Sequence, residues 1–169
     1  RRSLAEHAAA ERRLDSLCDK EHRFMVETVR PDGPEEQQDL IHRAAQTLSE
    51  GGLIGLPTES SYVLAGLANS DQSIKNLDRY SQGTATLLSR SVEEALDFFP
   101  DLSRIGKKLA RRCWPGPVIL ASDAAATFGG LVDSLSPQTR SLLGEDRVSV
   151  TVSSDSLVTE IGRILPAPL

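Results

Sequence analysis

A cluster of hydroxyl and carboxylate side chains follows a short apolar run, Leu53–Leu56. After Pro57 the chain reads Thr58, Glu59, Ser60, Ser61 and Tyr62. Side chains of these types bind small polar substrates, and open α/β sheets place their binding sites where a buried strand ends. An ordinary polar turn has the same composition, so this alternative stays open. Gly51–Leu67 is therefore the main candidate for a functional site.

Apolar periodicity and capping residues predict the elements around this loop. A helix is expected over Pro34–Glu50, because proline suits a first turn, two glutamates follow it, and Gly51 can end the helix. Phe24–Val29 alternates apolar and polar residues, which indicates an edge strand. The order of strand, helix and strand puts Leu53–Pro57 in the middle of the fold.

The rest of the chain also alternates between helical and extended patterns. Helices are predicted over 70–80, 91–99, Ser103–Cys113, 136–144 and Ser154–Ile161, and strands over Thr84–Leu88, Val118–Ala121 and Val148–Val152. In the helix Ser103–Cys113, Ile105 and Leu109 are expected to face inward. Ala124–Gly130 is predicted to be a surface loop. This alternation predicts a single α/β (α+β) domain over residues 24–169, preceded by a helical extension over residues 1–23.

Composition excludes several classes of protein. The 169 residues fit one domain, and the net charge of −5 argues against a general nucleic-acid coat but permits a local basic patch. No apolar run reaches the roughly 20 residues that cross a bilayer, and no signal peptide opens the chain, so we expect a cytoplasmic protein without membrane contact. Cys18 and Cys113 do not form a CxxC motif, and the three histidines do not form an HExxH motif. No metal site formed by protein side chains is therefore predicted.

Two motifs resemble a known family. The segment GGLIGLPTESSYVLAG, residues 51–66, resembles the opening signature of the YrdC-type threonylcarbamoyl-AMP synthase family, which usually reads Pro-Thr-Glu-Thr-x-Tyr-Gly-Leu after an apolar strand. Downstream, Trp114–Pro117 is similar to that family's Trp-Pro-Gly-Pro-Leu-Thr. Arg147–Val152 and then Ala167-Pro168 resemble the strand and the Ala-Pro that precede its Ser-x-Asn element. The likeness runs in order over residues 24 to 169.

The resemblance implies a twisted mixed β-sheet flanked by helices around a concave, positively charged cavity. It also implies a reaction that joins L-threonine, bicarbonate and ATP into threonylcarbamoyl-AMP and pyrophosphate, with magnesium on the phosphates, for transfer to an adenosine of tRNA. The protein's task in such chemistry is positioning and charge neutralisation, and no catalytic base is assigned. Thr58 and Tyr62 match family substrate residues, and Ser60 is assigned with them. A core role is the alternative for Tyr62, whereas Trp114–Pro117 is expected to fix the direction of the chain rather than to touch substrate, because two prolines make a stiff turn.

Several positions depart from the family pattern. The family's Lys-x-Arg element is missing from the segment 80–88, and the nearest cations are Lys75, Arg79 and Arg90. These three are the nucleotide-binding candidates, with solvated surface charges as the alternative. Ile119 replaces a family threonine, Thr151 an arginine and Val63 a glycine, and the chain ends at Leu169 before any Ser-x-Asn. Either the chemistry is lost in a degenerate member, or segments lie outside this sequence, which begins with Arg1 rather than methionine.

A non-catalytic module that binds double-stranded RNA is the alternative function, since relatives of this family are associated with such RNA. Its support is a run of cations on one predicted helix, Arg104, Lys107, Lys108, Arg111 and Arg112. A solvated helix face explains the same charges, and aromatic residues, which would stack on RNA bases, make up only 4% of the chain. A sensor that binds a nucleotide or an amino acid without turnover is a third possibility.

Overall fold

Helices and short strands alternate along the computed structural model, which describes residues 27–81, 83–123, 135–144 and 147–169. In chain order the elements are α1 (Pro34–Ser49), β1 (Ile54–Pro57), β2 (Tyr62–Ala65), α2 (Asp71–Asp78), β3 (Leu87–Leu88), α3 (Val92–Asp97), α4 (Arg104–Cys113), β4 (Leu120–Asp123), α5 (Pro137–Leu143), β5 (Arg147–Thr151) and α6 (Ser156–Ile164). The α/β class predicted from the sequence is confirmed.

Helix α1 ends at a glycine that delivers the chain into β1. Gly51 has a φ of +85°, a left-handed conformation that side chains with a Cβ rarely adopt. Its N–H donates to the Leu48 carbonyl, and the next N–H, from Gly52, donates to the Thr47 carbonyl. The buried face of α1, Ile41, Ala45 and Leu48, packs toward α6. The predicted helix is confirmed within one residue.

The strands form two small sheets within the described residues. Strands β1 and β2 are an antiparallel hairpin, with Ile54 opposite Ala65 and Pro57 opposite Tyr62. The second sheet has the order β3-β5-β4, in which β3 is parallel and β4 antiparallel to the central β5. This second sheet is therefore mixed, as the resemblance implied, while the hairpin is separate from it.

Each sheet contributes to its own apolar core. One core joins the mixed sheet to Phe98, Phe99 and Trp114, and the other joins α1, the hairpin, α6 and the C-terminal residues. Leu88 and Leu169 exchange both backbone N–H···O=C hydrogen bonds, at 2.7 and 3.1 Å, as opposed residues of an antiparallel ladder do. The C-terminal segment thus attaches β3 of the mixed sheet to the core of the hairpin.

Several features differ from the predictions. Of the predicted strands, Thr84–Leu88 is reduced to Leu87–Leu88, and Val118–Ala121 is shifted to Leu120–Asp123. Residues 27–29 of the predicted first strand are not in a strand, and Val29 is exposed, while 24–26 lie outside the described residues. Strand β2 was not predicted. Ile105 and Leu109 do not face inward, because α4 turns Gly106 and Ala110 to the interior. Gly106 is closely packed there, since a Cβ on it would lie only 2.7 Å from Leu102 Cγ.

The predicted extension over residues 1–23 and the loop Ala124–Gly130 lie outside the described residues. The domain boundary at residue 24 therefore stays a prediction. Among the described helices, none combines the length and the apolar character needed to cross a bilayer.

Candidate functional site

The loop between β1 and β2 is closed by one of its own side chains. Thr58 Oγ1 donates to the Ser61 carbonyl at 2.8 Å and accepts a hydrogen bond from the Ser61 N–H at 3.3 Å. The Thr58 N–H donates to the same carbonyl at 2.8 Å. Short hydroxyl side chains stabilise tight turns in this way. Thr58 therefore shapes the loop on which the predicted substrate residues lie.

Glu59 attaches this loop to the segment before α6. Its Oε1 accepts hydrogen bonds from Ser153 Oγ at 2.9 Å and from Ser154 Oγ at 2.8 Å, and also from the Ser154 N–H. Directly after these serines, Asp155 caps α6 by accepting hydrogen bonds from the Leu157 and Val158 N–H groups. The loop and the start of α6 are thus held together by one carboxylate.

The hydrogen bonds to Glu59 favour its ionised form. Burial raises the pKa of its carboxyl, but hydrogen bonds from the backbone N–H groups of Glu59 and Ser154 and from the hydroxyls of Ser154 and Ser153 lower it. The lowering contributions prevail, so the pKa lies below its ordinary value. Glu59 is therefore a stable carboxylate at neutral pH.

The three predicted substrate residues lie close together on this hairpin. Thr58 is half-buried, Ser60 is exposed, and Tyr62 is 36% exposed at the first position of β2. The alternative of a core tyrosine is thereby excluded for Tyr62. Hydroxyl groups at the mouth of a fixed loop can bind the polar groups of a small substrate. Their assignment to substrate binding stays a prediction.

Arg90, one of the three nucleotide-binding candidates, lies beside a small cleft behind Ser153. The cleft is lined by Leu88, Ser89, Arg90, Ser153, Val158, Thr159, Gly162, Ala167, Pro168 and Leu169. The Arg90 guanidinium forms an ion pair with Glu94 Oε1 at 2.9 Å and donates to the Leu165 carbonyl at 3.2 Å. Glu94 Oε2 also accepts the Arg90 N–H. The charge of Arg90 is therefore already balanced within the fold.

The other two nucleotide-binding candidates, Lys75 and Arg79, lie elsewhere. Both are exposed, on α2 and at its C-terminal cap. Helix α2 is attached to the start of β1, where Ser73 Oγ donates to the Gly52 carbonyl and Asn76 Nδ2 to the Gly51 carbonyl. The β1–β2 loop follows the other end of β1, about 20 Å away along an extended chain. Their role in nucleotide binding stays a prediction.

The Trp114–Pro117 turn is part of the core rather than of the loop. Trp114 is buried, and its Nε1 donates to the Val118 carbonyl at 2.7 Å. Thr151, which replaces the family arginine, donates from Oγ1 to the same carbonyl at 3.0 Å. Ile119, which replaces the family threonine, is 59% exposed. The turn thus fixes the direction of the chain beside β5, which agrees with the structural role expected from the sequence.

The cations of the predicted RNA-binding group lie on α4. Lys108, Arg111 and Arg112 are exposed, whereas Lys107 is half-buried and its Nζ donates to the Pro100 carbonyl at 3.1 Å. Arg104 at the start of the helix is exposed too. Their role in RNA binding is a prediction that the geometry leaves open.

Sequence reasoning missed the serine pair that holds Glu59. Ser153 and Ser154 precede an amphipathic helix, and with Asp155 they form a recognisable capping pattern. That pattern could have located the start of α6. It carries no information on a partner 94 positions earlier, so the contact with Glu59 required the structure.

A family model named Sua5/YciO/YrdC and described as "Telomere recombination" matches residues 46–169. A search among curated proteins gave no match.

Three solved structures share the fold. Sua5 of P. abyssi complexed with L-threonine has a TM-score of 0.63 at 21% identity, covering 84% of this chain and 38% of that one. A doubly substituted P. abyssi Sua5 has a TM-score of 0.60 at 23% identity, covering 76% of this chain and 38% of that one. E. coli YciO has a TM-score of 0.62 at 22% identity, covering 82% of this chain and 64% of that one. The chain spans less than two thirds of each of these proteins.

Proposed function

The chain belongs to the Sua5/YciO/YrdC family, and on this premise we propose that it is a threonylcarbamoyl-AMP synthase-like protein of tRNA modification. The proposed reaction joins L-threonine, bicarbonate and ATP into threonylcarbamoyl-AMP and pyrophosphate, and the threonylcarbamoyl group then passes to an adenosine of tRNA. Support comes from the family match and, for the amino acid, from the P. abyssi Sua5 of similar fold that was solved with L-threonine.

The observation that carries the proposal is the attachment of the substrate loop through Glu59. A free amino acid offers few atoms, so a site for it must be formed before binding, because ordering a mobile loop would consume much of the binding energy. The hydrogen bonds from Ser153 and Ser154 hold the loop in place without substrate. Ser60 and Tyr62 then offer hydroxyls that suit the carboxylate and hydroxyl of threonine.

ATP and magnesium fit the described residues poorly. ATP needs cations that are not already neutralised, yet Arg90 beside the cleft is paired with Glu94, and Lys75 and Arg79 lie near the start of β1. No group of His, Cys, Asp or Glu in the described ranges could hold a metal ion, so magnesium would be bound through the phosphates. The nucleotide half of the reaction is therefore proposed from the family match alone.

The Arg90–Glu94 ion pair favours a second candidate function, a catalytically degenerate module that binds its ligand without turnover. Such a module would keep the threonine site and lack a cation for the α-phosphate of ATP. The ligand of such a module could also be a macromolecule, in which case Lys108, Arg111 and Arg112 on α4 would bind double-stranded RNA.

Two measurements on the same protein separate the candidates. Calorimetry with L-threonine, and with L-valine as the ligand of similar shape without a hydroxyl, tests the site; we expect threonine to bind and valine to bind at least tenfold more weakly. Tyr62→Phe and Ser60→Ala should weaken threonine binding, whereas Ser156→Ala, an exposed hydroxyl on α6, should not.

Release of pyrophosphate is then measured with threonine, bicarbonate and ATP together and with each omitted. Release that requires all three supports the synthase. Threonine binding without such release supports the degenerate module, and equal binding of threonine and valine contradicts both.

A further inference from the structure

The outer side of α4 carries two large aliphatic side chains that no described residue covers. Ile105 is 80% exposed and Leu109 is 50% exposed. Four positions apart on a helix, they lie on one side, together with Lys108 and Arg112. These four residues are called the α4 outer face below.

The opposite side of α4 is the side that packs against the rest of the fold. It carries the small residues Gly106 and Ala110, and Ala110 is fully buried. A Cβ at position 106 would lie 2.7 Å from Leu102 Cγ, so the Leu102 side chain would have to shift to admit one. Isolated apolar side chains on a surface are common, but a pair in contact range on one short helix is a docking feature when its surroundings suit a partner.

The positive charge of α4 indicates that a partner of the α4 outer face would be acidic. Helix α4 carries five lysines and arginines and no acidic residue, in a chain whose net charge is −5. The ion pairs found among the described residues join Arg43 to Glu27 and Arg90 to Glu94, and none of them involves a cation of α4. An anionic surface with apolar side chains at its centre therefore complements the α4 outer face.

We propose that the α4 outer face binds one acidic amphipathic helix of a partner protein, through Ile105 and Leu109 and through the cations Lys108 and Arg112 beside them. Helix-in-groove recognition uses such pairs at helical spacing. A second copy of this chain would oppose cations to cations.

An RNA duplex would place phosphates against the two aliphatic side chains. A lipid surface is flat and would contact the molecule over an area wider than the ten residues of α4. A helix about 10 Å across can lie along α4 alone.

The interface is small. Ten residues of helix extend about 15 Å, so the contact is below the size of stable complexes and the expected affinity is in the micromolar range or weaker. The inference stands independently of the threonine site, because none of its residues takes part in the β1–β2 loop.

The test uses the whole chain and a fluorescent peptide of about eighteen residues in which leucines recur at helical spacing between glutamates. A scrambled peptide of the same composition is its control. Ile105→Ser/Leu109→Ser removes the apolar centre, and Lys108→Gln/Arg112→Gln removes the flanking charge. Arg163→Gln/Ile164→Ser changes the same residue types on α6, where Ile164 is 48% exposed. All these side chains are exposed, so the variants should fold, which circular dichroism checks.

We expect the patterned peptide to bind at least tenfold more tightly than the scrambled one. Each α4 double variant should lose at least tenfold in affinity, while the α6 variant keeps it. Equal binding of the two peptides, or an unchanged affinity of the Ile105→Ser/Leu109→Ser variant, would overturn the proposal. The same holds if the chain binds duplex RNA, or vesicles containing about one third phosphatidylserine, in preference to the peptide.

Discussion

Ser153 Oγ donates a hydrogen bond of 2.9 Å to Glu59 Oε1, although the two residues are 94 positions apart in the chain. Ser153 is 6% exposed and immediately precedes the capped start of α6, and Glu59 lies in the connection of the first hairpin. Hydrogen bonds to an ionised acceptor are stronger than those between neutral groups, particularly where water has little access. The position of the candidate substrate loop therefore depends on a carboxylate that itself need not touch substrate.

Glu59→Gln should weaken both the fold and threonine binding. The amide oxygen can still accept a hydrogen bond, but the charge that strengthens the bonds from Ser153 and Ser154 is lost, so we expect the free energy of unfolding to fall by about 1–2 kcal/mol. Urea denaturation measures this loss, and calorimetry measures the affinity for threonine. Glu160→Gln, an exposed carboxylate on α6, is the matched control. Equal effects of the two substitutions would show that the loop is held by other contacts.

The same carboxylate should make stability depend on pH in the acid range. The pKa of Glu59 in the folded protein lies below its ordinary value of 4.5, so the unfolded chain takes up a proton first as the pH falls. The stabilisation is complete well above pH 4.5 and is lost as the pH falls through that value toward the lower pKa of the folded state. The free energies of unfolding of the wild type and of Glu59→Gln, measured by urea denaturation, should differ at about pH 7, and this difference should shrink as the pH falls below 4.5. A constant difference would contradict this assignment.

Glu94→Gln should release the side chain of Arg90 at little cost to the fold. The ion pair is partly exposed, so its loss should cost about 0.5 kcal/mol, and the amide oxygen can still accept the Arg90 N–H. If Arg90 is a nucleotide-binding residue, the variant should bind ATP more tightly than the wild type, by severalfold, in a calorimetric titration. Glu93→Gln, an exposed neighbour on α3, should leave ATP binding unchanged. An unaltered ATP affinity in Glu94→Gln would remove Arg90 from the candidate site.

The sequence predicts the helices well because their signals are local. Ser70, Ser91, Ser103 and Ser136 all cap helices with hydrogen bonds to backbone N–H groups three positions on, and each could be identified from the residue type alone. Strand β2 escaped prediction because the residues from Tyr62 to Ala65 are apolar in type throughout, so the sequence does not show the alternation of exposed and more buried positions that the structure has. The motif in residues 51–66 was interpreted as a binding site, and the antiparallel hairpin that it also forms was not predicted.

The error on α4 has a different physical cause. Periodicity assigns the larger apolar residues, Ile105 and Leu109, to the interior, whereas the structure turns Gly106 and the fully buried Ala110 inward. Which face of a short helix is buried depends on what packs against it, and residue size can reverse the order that hydrophobicity suggests. The candidate substrate residues were located by motif, but the contact that fixes them is between distant segments and lies beyond local patterns.

Two buried hydroxyls provide a final prediction about what stabilises the fold. Thr139 Oγ1 donates to the Ala68 carbonyl at 2.7 Å across 71 positions, and Thr139 is 2% exposed. Ser89 is 3% exposed, and its Oγ has no hydrogen-bond partner among the described residues. Thr139→Val keeps the shape of the side chain but leaves the buried Ala68 carbonyl unpaired, so the free energy of unfolding should fall by about 1–2 kcal/mol. Ser89→Ala removes a hydroxyl that is already unpaired, so it should change the free energy of unfolding by less than about 0.5 kcal/mol. Urea denaturation compares the two, and a loss in Ser89→Ala as large as in Thr139→Val would show that an ordered water in the cleft binds the serine.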